Sequence, residues 1–83
     1  MTNLIDLPNV GPVLAKNLQA AGMKTPKELR EIGAKEAFLR IRMIDSGACL
    51  HMLYGIEGAI ENIQDKFLSP EAKQDLKEFF RTL

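Results

Sequence analysis

Between residues 4 and 18 an apolar patch, Leu4-Ile5-Asp6-Leu7, runs into Pro8-Asn9-Val10-Gly11, and a second apolar periodicity starts at Pro12. This pattern predicts a helical hairpin. Asparagine and glycine enter left-handed backbone at the least cost. Asn9 and Gly11 therefore allow a very short turn, with Gly11 capping a helix whose first position is Pro12. Such a bend leaves a helix N-terminus exposed, where unpaired N–H groups favour an anion such as a backbone phosphate.

The chain has 83 residues, enough for one domain over residues 1–83 with a thin core. Hydrophobic residues make up 46% and charged residues 27%, the balance of an ordinary soluble protein, and no apolar run reaches the length of a membrane span. Residues 1–3 carry no basic n-region and no apolar h-segment follows, which predicts a cytoplasmic chain. Cys49 is the only cysteine and cannot close an internal disulfide, in keeping with a reducing compartment. Eleven basic and eleven acidic side chains cancel, which argues against a strong non-specific nucleic-acid binder. The charges are nevertheless segregated: residues 1–42 hold seven basic against four acidic groups, and residues 43–83 hold four against seven. The basic half contains the hairpin. A dipolar chain of this kind suits weak phosphate contact and head-to-tail self-association equally well.

Helical spacing accounts for the rest of the chain. A short first helix is expected over residues 3–7, and a second over 12–21 with Val13, Leu14 and Leu18 inward and Gly22 as its stop. Thr25-Pro26-Lys27-Glu28 has the form of a capping box and opens a third helix that ends at Gly33, with Leu29 and Ile32 inward. A fourth covers 34–44, with Ala37, Phe38, Ile41 and Ile44 at core spacing. Asp45-Ser46-Gly47 breaks it, and the longest helix follows over 48–64. That helix is apolar on nearly every side, so it is expected to be central or covered by another subunit. Gly55 and Gly58 within it suggest the close approach of a neighbouring helix. Ser69 and Pro70 start the last helix, with Leu76, Phe79, Phe80 and Leu83 as its stripe. No segment shows strand alternation. The expected architecture is all-α, five or six helices.

Catalytic and metal chemistry find little support. His51 and Cys49 lie two apart on one helix and point in different directions, so they form neither a nucleophile–base pair nor a ligand cluster. Glu57 with Glu61, and Glu71 with Asp75, are i,i+4 pairs of the kind that line a solvated face. The four methionines and four phenylalanines read as core, with Leu39, Met43, Leu50 and Met52 surplus to one small core and placed as a candidate subunit interface. No cofactor is expected.

Leu7-Pro8-Asn9-Val10-Gly11-Pro12, with Ala15 and Leu18, resembles the helix-hairpin-helix motif, whose usual bend is Pro-Gly-apolar-Gly; Asn9 stands at the first glycine. A resemblance covering almost the whole chain is to the C-terminal domain of TfoX (Sxy) proteins. It is carried by that stretch together with Ala21-Gly22-Met23-Lys24-Thr25-Pro26, residues 29–38, Gly47-Ala48-Cys49-Leu50-His51-Met52-Leu53-Tyr54 and Leu76-Lys77-Glu78-Phe79-Phe80. The resemblance implies a compact five- to six-helix domain of SAM or helix-hairpin-helix type. It also implies a bacterial, cytoplasmic, non-enzymatic domain related to regulators of competence and DNA uptake. Complete family members also carry a separate N-terminal domain, expected to be absent from a chain whose Met1 stands just before the hairpin.

The first expectation is thus a non-enzymatic regulatory domain acting on DNA or on a protein partner in transcription regulation. Asn9, Val10, Gly11, Val13 and Lys16 would carry any phosphate contact. The second is a self-associating module with no nucleic-acid function, held through the apolar flanks of the fourth and fifth helices.

Overall fold

In a computed structural model, which describes residues 3–83, the chain folds into five α-helices and two 3-10 turns, with no strand among the described residues. Leu7 precedes a proline, which disfavours helical backbone, and it is extended at φ −77° and ψ 149°. The arm before the bend is accordingly one 3-10 turn, Leu4–Asp6, rather than a helix over residues 3–7. The Asn3 N–H donates to the Asp6 carboxylate at 3.0 Å and closes that turn.

Helix α1 spans Pro12–Ala20. Leu14, Ala15 and Leu18 set its buried stripe, and Val13 falls well away from the centre of that stripe on a helix turning 100° per residue. Val13 is therefore 73% exposed and not part of the core, contrary to the expectation from spacing. Helix α2, Pro26–Ile32, starts as the capping signature requires: the Glu28 N–H donates to Thr25 Oγ1 at 3.1 Å. The Glu28 carboxylate accepts from the Lys24 N–H at 3.1 Å, so the second half of the box closes one residue earlier than expected. Thr25→Ala is expected to cost about 1 kcal/mol, measured by urea denaturation followed by circular dichroism.

Gly33, at φ 87°, both ends α2 and starts α3, Ala34–Ile44. Ala34, Ala37, Phe38 and Ile41 are buried, whereas Ile44 lies in the last turn beside that stripe and is 52% exposed, a correction to its expected core position. The longest apolar helix, α4, runs over Leu50–Glu61. It is shorter than the expected 48–64 because Cys49 is its N-cap and Asn62, left-handed at φ 63°, stops it. α4 packs against α2 and α3 and against the 3-10 turn Asp65–Phe67. It also packs against α5, Pro70–Arg81, which makes it the central helix.

Ser69 Oγ caps α5 by accepting from the Ala72 N–H at 3.0 Å. Leu76 is buried, while Phe79 and Phe80 pack at the edge, with the Phe80 ring 5.9 Å from that of Phe38. Leu83 lies beyond the helix and is 43% exposed, and Phe67 and Met43 also protrude, so these three are not core residues. The buried apolar side chains form one cluster reaching from Leu4 to Leu76.

Candidate nucleic-acid interface at the hairpin tip

Only Asn9 in the bend uses left-handed backbone, at φ 68°. Gly11 is extended at φ −91° and ψ −178°, and a Cβ placed on it would meet nothing within 4 Å. Neither backbone angle nor internal packing therefore explains a glycine at position 11.

The Asn9 side chain is turned into the protein. Its Nδ2 donates to the Ile63 carbonyl at 3.0 Å and to the Gly55 carbonyl at 3.3 Å, and its Oδ1 accepts from the Asp65 N–H at 3.1 Å. Three bonds from one amide tie the bend to α4 and to the turn after it. This contact also explains one of the two glycines of α4, Gly58. A Cβ on Gly58 would lie 2.5 Å from Asn9 Nδ2 and 2.8 Å from the Ile63 carbonyl oxygen, whereas one on Gly55 would make only an ordinary 3.5 Å contact with Asn9 Cβ. The close neighbour of Gly58 is thus the N-terminal bend and the turn after α4, not another helix as the sequence had suggested.

The consequence for the tip is open backbone. Among the described residues, the N–H groups of Gly11, Val13 and Leu14 make no hydrogen bond within the protein. Gly11, Pro12 and Val13 are exposed around them, and Lys16 is exposed one turn further along α1. Val10, by contrast, is 7% exposed and serves the core with its side chain. Beside the tip a groove of about 370 Å³ runs between the first 3-10 turn and α1, bordered by Ile5, Pro12, Lys16 and Lys24. His51, also exposed, sits with Nε2 3.5 Å from the Asp65 carboxylate.

The four candidate interface residues are not gathered on one open face. Leu50 and Met52 are half-buried against the core, Leu39 is half-buried beside α5, and Met43 is 88% exposed.

A second polar cluster escaped the sequence reading. Glu57, expected on a solvated face, is half-buried in a cleft of about 460 Å³ shared by α3, α4 and α5. Burial, then the neighbouring Glu61 carboxyl and the Asp75 charge, raise its pKa from 4.5 to about 7, with Lys35 opposing. The signal was its setting: Glu57 lies among Gly55, Ile56, Gly58 and Ala59 in a mostly apolar helix. No group of His, Cys, Asp and Glu among the described residues could hold a metal ion. No helix there is long and apolar enough to cross a membrane.

These features define a small all-helical fold whose open backbone lies at a clamped N-terminal bend. The profile of the TfoX C-terminal domain matches residues 1–80, and the chain belongs to that family. It is 36% identical over 80 residues to Protein Sxy of Escherichia coli K12, an alignment covering 96% of this chain and 38% of that protein. The chain thus spans less than half the length of this relative. Two crystal structures from Listeria monocytogenes share the fold. One, of an uncharacterized protein in a triclinic form, superposes with a TM-score of 0.96 at 47% identity over 98% of this chain and 92% of that one. The other, of a protein of unknown function in a tetragonal form, gives 0.94 at 48% identity over 96% and 98%.

Proposed function

We propose that the domain is a non-enzymatic regulatory module that docks the phosphate backbone of duplex DNA at its hairpin tip. The observation that carries this reading is the open group of Gly11, Val13 and Leu14 amides beside exposed Lys16, left accessible because Asn9 turns its side chain inward. Three N–H groups at a helix start, in the field of the helix dipole, suit a phosphate oxygen. Gly11 is the N-cap of α1, and with open space around its Cα it also leaves room for close approach of such a group. Asn9 then acts as a positioning residue, Val10 contributes backbone only, and Lys16 adds a charge contact. Membership of the family that includes Protein Sxy supports a role in regulation.

Fluorescence anisotropy with a labelled duplex at several salt concentrations tests the proposal. Affinity should fall with added salt, and Lys16→Glu should bind roughly tenfold more weakly with a salt slope smaller by about one. Gly11→Ala should also weaken binding, while the poorer N-cap lowers stability by about 0.5–1 kcal/mol. A salt-independent affinity, or equal binding by both variants, overturns the reading. Light scattering at several concentrations addresses self-association through Met43 and its neighbours; a strict monomer that still shifts on DNA removes that alternative.

A further inference from the structure

We infer that the groove beside the tip is the second half of the DNA site: it seats the next sugar and phosphate of the strand whose first phosphate meets the tip amides, with Lys24 as the cation for that second phosphate. This rests on the reading of the tip given above.

The groove of about 370 Å³ runs from Pro12, at the tip, past Ala15 and Lys16 to Gln19 and Lys24. Pro12 and Gln19 lie seven residues apart on α1, which is about 10 Å along the helix axis. A phosphate held by the Gly11, Val13 and Leu14 amides therefore leaves the Gln19 end open to a neighbouring group.

The charges favour an anion along this whole path. Among the described residues no carboxylate lines the groove. The acids nearest in sequence are turned to the backbone: Asp6 accepts from the Asn3 N–H at 3.0 Å and Glu28 from the Lys24 N–H at 3.1 Å. Lys16 and Lys24 are exposed and form no ion pair among the described residues, whereas Lys27, Lys35 and Arg40 each have a carboxylate within 4.0 Å. The two clefts at α5 are lined by Glu57 and Asp75, or by Glu71, Asp75 and Glu78, and would repel a polyanion.

The groove is also apolar between its cations. Ile5 and Pro12 border it, and Ile5 is left 50% exposed by the fold. A nucleic-acid strand alternates charged phosphates with sugars that present C–H faces, and contacts to both fix a protein's register on the duplex. Ile5 and Pro12 then meet the sugar, while Lys16 and Lys24 meet the phosphates on either side. Continuity with the tip amides favours this occupant over an acidic peptide.

Fluorescence anisotropy of the intact chain with a labelled duplex tests the groove, with circular dichroism to confirm the fold of each variant. Lys24→Gln should bind roughly threefold to tenfold more weakly, with a salt slope smaller by about one. Ile5→Ala should weaken binding roughly threefold through lost apolar contact and leave the slope unchanged. Lys77→Gln, on the exposed side of α5, should match the wild type. Wild-type binding by either Lys24→Gln or Ile5→Ala overturns the inference, and if Lys16→Glu is still weakened the tip reading stands without it. Binding that neither salt nor Lys16→Glu affects overturns both. A labelled acidic peptide that competes as strongly as the duplex would make the groove a protein-docking site, and that too overturns the inference.

Discussion

Asn9→Ala is expected to destabilise the domain by about 3 kcal/mol, measured by chemical denaturation. Two separate losses add up to this. The side chain makes three hydrogen bonds, to the carbonyls of Gly55 and Ile63 and from the Asp65 N–H. Each is worth about 0.5–1 kcal/mol at a partly exposed site. Position 9 is also left-handed at φ 68°, where a residue with an ordinary Cβ is strained by about 1–2 kcal/mol. Asn9→Gly separates the two: it removes the bonds and keeps the backbone comfortable, so about half the loss should remain. If Asn9→Gly were as stable as the wild type, the inward amide would contribute nothing to the fold.

Gly58→Ala should cost about 2 kcal/mol, although alanine is the better helix former by about 1 kcal/mol. The added methyl would lie 2.5 Å from Asn9 Nδ2 and 2.8 Å from the Ile63 carbonyl oxygen. The side chain can swing away, at the cost of its bonds to Gly55 and Ile63, but the carbonyl is backbone and moves only with the turn that follows α4. Overpacking of this kind typically costs 1–3 kcal/mol. The two sites should therefore couple. In an Asn9→Gly background the nitrogen is gone, so Gly58→Ala should cost less than it does alone, leaving the Ile63 oxygen as the residual conflict. Strict additivity of the two changes would rule out the clamp.

How much of this was legible beforehand depended on the range of the interaction. Thr25, Ser69 and Gly22 act on their own backbone within a few residues, and their roles as caps and stop were readable from local chemistry. The stripes of α3 and α5 were largely readable from helical spacing. Their margins were not: Val13 and Ile44 are apolar residues at near-core spacing, and only the true centre of each stripe decides their exposure. Asn9 was recognised as a turn residue by its tolerance for left-handed backbone. Its bonds to residues more than forty positions away carry no local signature. Glu57 was misplaced for the same reason, since its half-burial is created by α3 and α5 and not by its own helix.

The inward amide of Asn9 has a further consequence for how the molecule comes together. Its partners are Gly55, Ile63 and Asp65, 46, 54 and 56 positions away. A fragment ending before α4 would keep the bend's composition but hold none of these anchors. Closing so long a loop is a late and entropically demanding event in folding. The tip therefore acquires its working shape only once the second half of the chain has been laid against it, so the open amides are an attribute of the finished assembly and not of the hairpin alone.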